Sequence, residues 1–292
     1  MSNLQQALQS KKFVVTGEIG PPKGVDIEKC LKDAESLRGK VVAINVTDLQ
    51  SAVMRIGSMA VSAKLVERGM EPVYQLTCRD RNRLALQSDL LSAWALGIRN
   101  VLCLTGDHPT LGDDTEAKPV YDLDSVQLLK AASTLNQGKD MTGHDLEGKP
   151  DFFIGAVVTP ASEPLEPQIM KMEKKIAVGA KFFQTQAIYE VDKFEYFINQ
   201  TSQFKVPIIA GMVVLKSAAM ARFMNENVAG ISVPDDIIQE MADTPKEDRK
   251  KKSVEITARI IRQVVPLCQG VHIMPLGWDE LVPEIIREAG IE

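Results

Sequence analysis

Val101-Leu-Cys-Leu-Thr-Gly-Asp107, followed by His108-Pro109, is a run of apolar and small residues that ends in a glycine and a carboxylate. Such a run reads as a strand buried on both faces, as a parallel sheet requires. It delivers Asp107 to the rim of that sheet. Seven other segments share its character. They are FVVTGEI (Phe13 to Ile19), VVAINVT (Val41 to Thr47), PVYQLTC (Pro72 to Cys78), FFIGAVVT (Phe152 to Thr159), FFQTQAI (Phe182 to Ile188), VPIIAGMVVL (Val206 to Leu215) and GVHIMPL (Gly270 to Leu276). Several end in polar residues, so the chain repeatedly carries hydrogen-bonding groups to the ends of buried strands.

Helical apolar spacing fills the intervals. It is clear at Ile27 to Leu37 (Ile27, Cys30, Leu31, Ala34, Leu37) and recurs from Gly57 to Glu67, Asn82 to Leu96, Asp124 to Leu135, Pro167 to Val178, Val191 to Gln200 and Ser217 to Asn225. Between the seventh and eighth strands the chain is longer than one helix needs. A short helix (Asp235 to Ala242) is expected there before a long one (Pro245 to Leu267), and Trp278 to Glu288 is the last. The charge run Lys246 to Lys252 reads as a solvated helix start. Polar, Gly-containing loops are expected from His108 to Pro119 and from Asn136 to Pro150. Strict alternation of strands and helices implies a parallel sheet covered by helices. Eight such units in 292 residues match a closed (β/α)8 TIM barrel, read as a single catalytic domain over 1–292. A doubly wound open sheet is the competing architecture. For a dinucleotide it wants a G-x-G-x-x-G turn after the first strand, and here that strand runs into Gly20-Pro21-Pro22.

Composition narrows the function. Hydrophobic content of 45%, charged content of 25% and a net charge of −5 describe an ordinary globular chain and disfavour nucleic acid or an anionic membrane as a partner. No apolar run approaches the ~20 residues of a membrane span, and Met-Ser-Asn-Leu-Gln-Gln has neither a basic nor an apolar signal region. A cytoplasmic location is expected. The four cysteines are scattered and the histidines number three, which reads as reduced thiols and no metal site.

A barrel places its site at the C-terminal ends of its strands. That rule selects Glu18, then Asn45, Thr47 and Asp48, then Gln75, Thr77 and Asp80, then Thr105, Gly106, Asp107 and His108, then Thr159, Gln184, Gln186 and His272. Glu18 ends an apolar strand. Burial raises a carboxyl pKa, as a general acid near neutrality needs; a structural carboxylate paired with Arg or Lys is the equal alternative. Asp107 beside Gly106 suits close approach to a flat ligand or, equally, a loop cap. The amide of Gln186 both donates and accepts, which suits the edge of a pterin, purine or flavin. His108 and His272 read as structural, and Lys175 as a surface residue of a helix.

The chain resembles the methylenetetrahydrofolate reductase family over nearly its whole length. The motifs are Thr16-Gly-Glu-Ile-Gly-Pro-Pro22, Val46-Thr47, Gln75-Leu-Thr-Cys78, Leu104-Thr-Gly-Asp107, Gly179-Ala180 with Thr185-Gln186, and Gly211. The resemblance implies a flavoprotein of one-carbon metabolism and methionine supply, with FAD or FMN as cofactor and methylenetetrahydrofolate as substrate. It implies that Glu18 is the general acid that opens the folate's five-membered ring, that Asp107 contacts flavin and pterin, and that Gln186 binds the folate. Thr47, Gln75, Thr105, Gly106, Tyr121 and Lys175 fall where the family contacts flavin. Ala218 stands where many members carry a stacking Phe, and Gln75 where many carry His. No C-terminal regulatory domain is expected. The chain is similar to the short forms of anaerobic one-carbon pathways, where NAD(P)H or a partner electron-transfer subunit, itself a small metal-binding protein, feeds the flavin. An oligomer is expected. The alternatives are another barrel lyase or aldolase, which wants basic groups at strand ends where only Arg79 is near, and a non-catalytic flavin-binding subunit that docks an electron-transfer partner.

Overall fold

The computed structural model describes residues 1–292. Eight parallel strands close into a barrel in sequence order, with β8 pairing back onto β1. The strands are β1 (Val14–Ile19), β2 (Ala43–Val46), β3 (Pro72–Thr77), β4 (Asn100–Leu104), β5 (Phe153–Val158), β6 (Phe182–Ala187), β7 (Ile208–Val213) and β8 (Gly270–Met274). The helices are α1 (Asn3–Gln9), α2 (Glu28–Ser36), α3 (Ser58–Glu67), α4 (Arg83–Ala95), α5 (Ser125–Asn136), α6 (Glu166–Ala177), α7 (Val191–Thr201), α8 (Ala218–Asn227), α9 (Asp235–Asp243), α10 (Arg249–Val264) and α11 (Val282–Ala289). The (β/α)8 TIM barrel expected from the sequence is therefore the fold, with α9 as the extra helix between β7 and β8. No helix is long and apolar enough to cross a membrane.

Side-chain alternation along each strand sorts the core in two. Outward residues such as Val15, Ile44, Tyr74, Cys103, Ile154, Phe183, Ala210 and Val271 join the large core between sheet and helices. Their inward neighbours, Val14, Ala43, Val73, Leu102, Phe153, Phe182 and Ile209, fill the lower barrel as a separate small core. Phe153 and Phe182 stack there at 4.8 Å. All four cysteines are buried. Burial pushes the Cys78 thiol up to about 12 and those of Cys30 and Cys268 up to about 11, so they stay protonated at neutral pH.

One element goes beyond the sequence expectation. Helix α1 sends Leu4 and Leu8 into the inner core and so plugs the bottom of the barrel. Ser2 caps it, its side chain accepting from Gln5 N, and Glu71 accepts from the backbone N–H groups of Asn3 and Leu4. The signal lay in Ser2 with Leu4 and Leu8 one turn apart, a pattern too short to stand out from a polar terminus. The long segment before β8 also differs in detail: a short 3-10 turn on each side of α10 replaces the continuous helix from Pro245 to Leu267.

Candidate active site

The upper inward layers of the strands are polar where the lower ones are apolar. Thr16 and Glu18 continue the inner face of β1 above Val14. Gln75 and Thr77 continue β3 above Val73, Gln184 lies above Phe182, and His272 lies on β8 in register with Thr16. All of these polar residues but Thr16 line a cleft of about 460 Å³ at the C-terminal mouth. Leu102, Leu104 and Val157 form an apolar wall in it.

Glu18 is buried, 8% exposed, on the cleft wall. Its Oε2 lies 3.4 Å from Gln75 Nε2, an amide donor. The same oxygen lies 3.3 Å from His272 Nε2. Behind the imidazole, Nδ1 faces Thr16 Oγ1 at 3.0 Å and Asn45 Nδ2 at 3.2 Å. The carboxyl thus has no Arg or Lys partner; its neighbours are an amide and an imidazole.

The rim is braced by two buried hubs. Asp48, 3% exposed, accepts from Thr77 N at 3.0 Å, from Thr77 Oγ1 at 2.9 Å, from Ser58 Oγ at 3.2 Å and from Arg81 Nη1 at 2.8 Å. Arg79, 2% exposed, pairs with Asp80 and donates to the carbonyls of Leu49 and Asp107 at 3.2 Å each. Its guanidinium therefore ties the loops after β2, β3 and β4 together. Gly106 has a φ of +89°, and a Cβ there would stand 3.1 Å from Thr77 Cβ and 3.2 Å from Arg79 Cβ. The turn that presents Asp107 needs a glycine for both reasons.

Lys175 departs from its surface reading. It is 4% exposed, donates from Nζ to Val157 O at 2.6 Å and lines the cleft. Burial, reinforced by the charge of Lys171, lowers its pKa to about 8. Lys171 and Gln168 reach the same cleft from α6. Spacings of three and four residues put them on one helix face, so basic groups overhang the strand ends where the sequence suggested only Arg79.

Along β6 the pairing with β7 shifts between Gln184 and Ala187, a bulge centred on Thr185 and Gln186. Thr185 Oγ1 donates to Gln186 O at 2.7 Å and accepts from Gly211 N at 2.9 Å. Gln186 Oε1 accepts from Ala187 N at 3.1 Å. The bulge aims Gln186 into the cleft, and a Cβ on Gly211 would come within 2.4 Å of Thr185 O.

Glu18, Thr47, Gln75, Thr105, Gly106, Asp107, Lys175 and Gln186 all line this one cleft. Tyr121 does not. It lines a shallower depression beside Thr105, and its hydroxyl donates to Gly106 O at 3.2 Å and Asp107 O at 3.1 Å. Its contact is with the turn that carries Asp107. The bracing by Asp48 and Arg79, the place of His272 behind Glu18 and the overhang of Lys171 had no sequence signal, because each depends on which strand ends meet.

The fold and its rim define a (β/α)8 barrel with a polar cleft at the C-terminal mouth, one wall of it apolar. The family model described as "Methylenetetrahydrofolate reductase" matches residues 3–290, and the chain belongs to that family. Methylenetetrahydrofolate reductase 2 of Schizosaccharomyces pombe is 26% identical over 240 residues, which is 74% of this chain and 35% of that protein. The chain thus spans about a third of the length of that relative. The 5,10-methylenetetrahydrofolate reductase of Salmonella typhimurium is 24% identical over 312 residues, covering 99% of this chain and 97% of its own. Among solved structures, a Clostridium thermocellum protein described as binding two copies of 5-methyl-5,6,7,8-tetrahydrofolic acid superposes with a TM-score of 0.66 at 18% identity, over 99% of both chains. That likeness is one of fold.

Proposed function

We propose that the protein reduces 5,10-methylenetetrahydrofolate to 5-methyltetrahydrofolate in this cleft, with Glu18 as general acid. The observation that carries the reading is Glu18 itself: a buried carboxyl on the wall of the cleft, positioned by the Gln75 amide and the His272 imidazole. Family membership and the two full-length or partial reductase relatives support the substrate class. The folate bound by the Clostridium neighbour agrees with it.

The residues present fit a flavin, FAD or FMN. The wall of Leu102, Leu104 and Val157 suits the face of a flat ring. Thr47 Oγ1 and both amide atoms of Gln184 are buried without partners, and the strand-four turn at Gly106 has no side chain to obstruct a ring. A reduced flavin held there would supply the hydride. Thr47, Gln75, Thr105, Gly106, Asp107 and Lys175 would hold it, with Tyr121 fixing the turn beneath Asp107.

Glu18 delivers a proton to one nitrogen of the folate's five-membered ring. The carbon–nitrogen bond breaks with its electron pair going to that nitrogen, and the one-carbon unit remains on the other nitrogen as an electrophilic iminium. Hydride addition completes the methyl group. Each turnover consumes one proton through Glu18, which the solvent then replaces. Gln186 and Asp107 orient the pterin. His272 and Gln75 hold the carboxyl in place.

Ala218 is buried at the start of α8 and offers no aromatic face. On that ground the electrons come from a partner electron-transfer subunit in preference to stacked NAD(P)H. Residues 1–292 act as one catalytic domain in the cytoplasm. The test is to extract and weigh the bound cofactor and then to add methyltetrahydrofolate without oxygen. A yellow protein whose flavin bleaches is the expected result. A colourless protein that FAD and FMN both fail to reconstitute would overturn the reading.

A further inference from the structure

Gln184 carries two unpartnered buried side-chain atoms inside the barrel, Oε1 and Nε2, and is 2% exposed. Its register neighbours are Val157 on β5 and Ile209 on β7. One pleat repeat below it lies Phe182, stacked on Phe153. The amide therefore stands on an apolar plug between apolar neighbours, and the one direction left to it is the cleft that it lines. Leaving a buried amide unpaired costs about 1 to 3 kcal/mol, and a leucine or methionine would fit the inner core without that cost.

We propose that Gln184 reads the lactam edge of a pteridine-type ring at the floor of the cleft. This rests on the function proposed above and gives a specific role to a residue that reading noted only as unpartnered. A primary amide presents a C=O and an N–H side by side. Their complement is a ring edge with an adjacent N–H and C=O, which makes two parallel hydrogen bonds, ring N–H to Oε1 and Nε2–H to ring oxygen. The apolar wall of Leu102, Leu104 and Val157 favours a flat ring that reaches this depth edge first. Both the pterin of a folate and the pyrimidine ring of a flavin carry such an edge. Gln186, two residues further along β6, lies higher and has its own Oε1 engaged by Ala187 N, so the two glutamines read different parts of what binds.

The test is Gln184→Leu and Gln184→Met, compared with wild type as cofactor-free proteins. Two quantities are read: the melting temperature without ligand, and the separate affinities for FAD or FMN and for methyltetrahydrofolate by calorimetry. The expected result has opposite signs. The melting temperature rises by about 2 to 4 °C as the orphaned amide is removed, while at least one affinity falls about 10- to 100-fold because the ligand's edge is left unpaired. A fall for flavin alone assigns the edge to the flavin, for folate alone to the pterin, and for both to a shared contact. Unchanged affinities in both variants overturn the proposal, as they mean that only water meets the amide. A lower melting temperature in both variants also overturns it, as it means that Gln184 supports the fold. Failure of wild type to bind either ligand sinks the proposed function instead, and is seen before any variant is compared.

Discussion

His272 Nε2 stands 3.3 Å from Glu18 Oε2, so residues 254 apart in sequence meet where the last strand closes on the first. Asn45 Nδ2 and Thr16 Oγ1 face the other ring nitrogen, Nδ1, at 3.2 and 3.0 Å, so the imidazole is held from behind while its Nε2 faces Glu18. The imidazole and Gln75 together fix where the carboxyl points. The position of the Glu18 carboxyl is therefore set by β2, β3 and β8 as well as by its own strand.

Glu18→Gln keeps the volume and removes the acid. Its reductase rate should fall about 10²- to 10⁴-fold, the usual worth of a positioned acid, with flavin still bound. His272→Leu should cost less, about 10-fold, because it loosens the carboxyl without removing it. Rapid-mixing measurement of flavin reoxidation by methylenetetrahydrofolate reads both. A Glu18→Gln protein with flavin bound and an unchanged rate would return the protein to the non-catalytic alternative.

Asp48 makes a different kind of contribution. It is a buried anion with one cationic partner, Arg81, and three further donated hydrogen bonds from Ser58 and Thr77. Asp48→Ala leaves the N–H and hydroxyl of Thr77 without their acceptor and removes one of the two carboxylates that Arg81 pairs with, Asp89 being the other. Urea titration should show a loss of about 1 to 3 kcal/mol, the usual cost of leaving buried donors unpaired.

Lys175 gives a pH dependence of unusual sign. Its folded pKa is about 8 against an ordinary 10.5, because burial disfavours the cation. Below about pH 8 the side chain is charged in both states and the folded protein carries the full burial penalty. Between there and pH 10.5 the unfolded chain binds more protons, so this group makes stability rise with pH. Lys175→Met should remove that rise and raise the stability of the cofactor-free protein at pH 7 by about 1 to 2 kcal/mol, after loss of the bond to Val157. Denaturation of both proteins across pH 7 to 10.5 checks it; parallel curves would contradict it.

Gly211→Ala tests the bulge. A methyl group there has only 2.4 Å to Thr185 O, which is backbone. Strand β7 must move, and Gln186 with it. Stability should fall by about 1 to 3 kcal/mol and methyltetrahydrofolate affinity should weaken with it, as thermal melts with and without the folate will show.

What the chain alone determined is what repeats locally. Apolar runs such as Val101 to Leu104, separated by helical spacing, are read within a few residues, and their number fixes a closed parallel barrel. The barrel rule then picks strand ends without any coordinates, which is why Glu18, Gln75, Asp107 and Gln186 share one cleft. Tertiary structure decided what depends on closure and overhang. His272 reaches Glu18 only because β8 seals against β1. Lys175 is buried only because one face of α6 leans over the mouth. Tyr121 turns to the backbone of Gly106 and Asp107 because of how the loop after β4 folds back. Leu4 and Leu8 matter only once the eight strands of the closed barrel surround them. The physical reason is common to all four: period and propensity act along the chain, whereas desolvation and hydrogen-bond pairing act between segments far apart in it, and only the folded barrel brings those segments together.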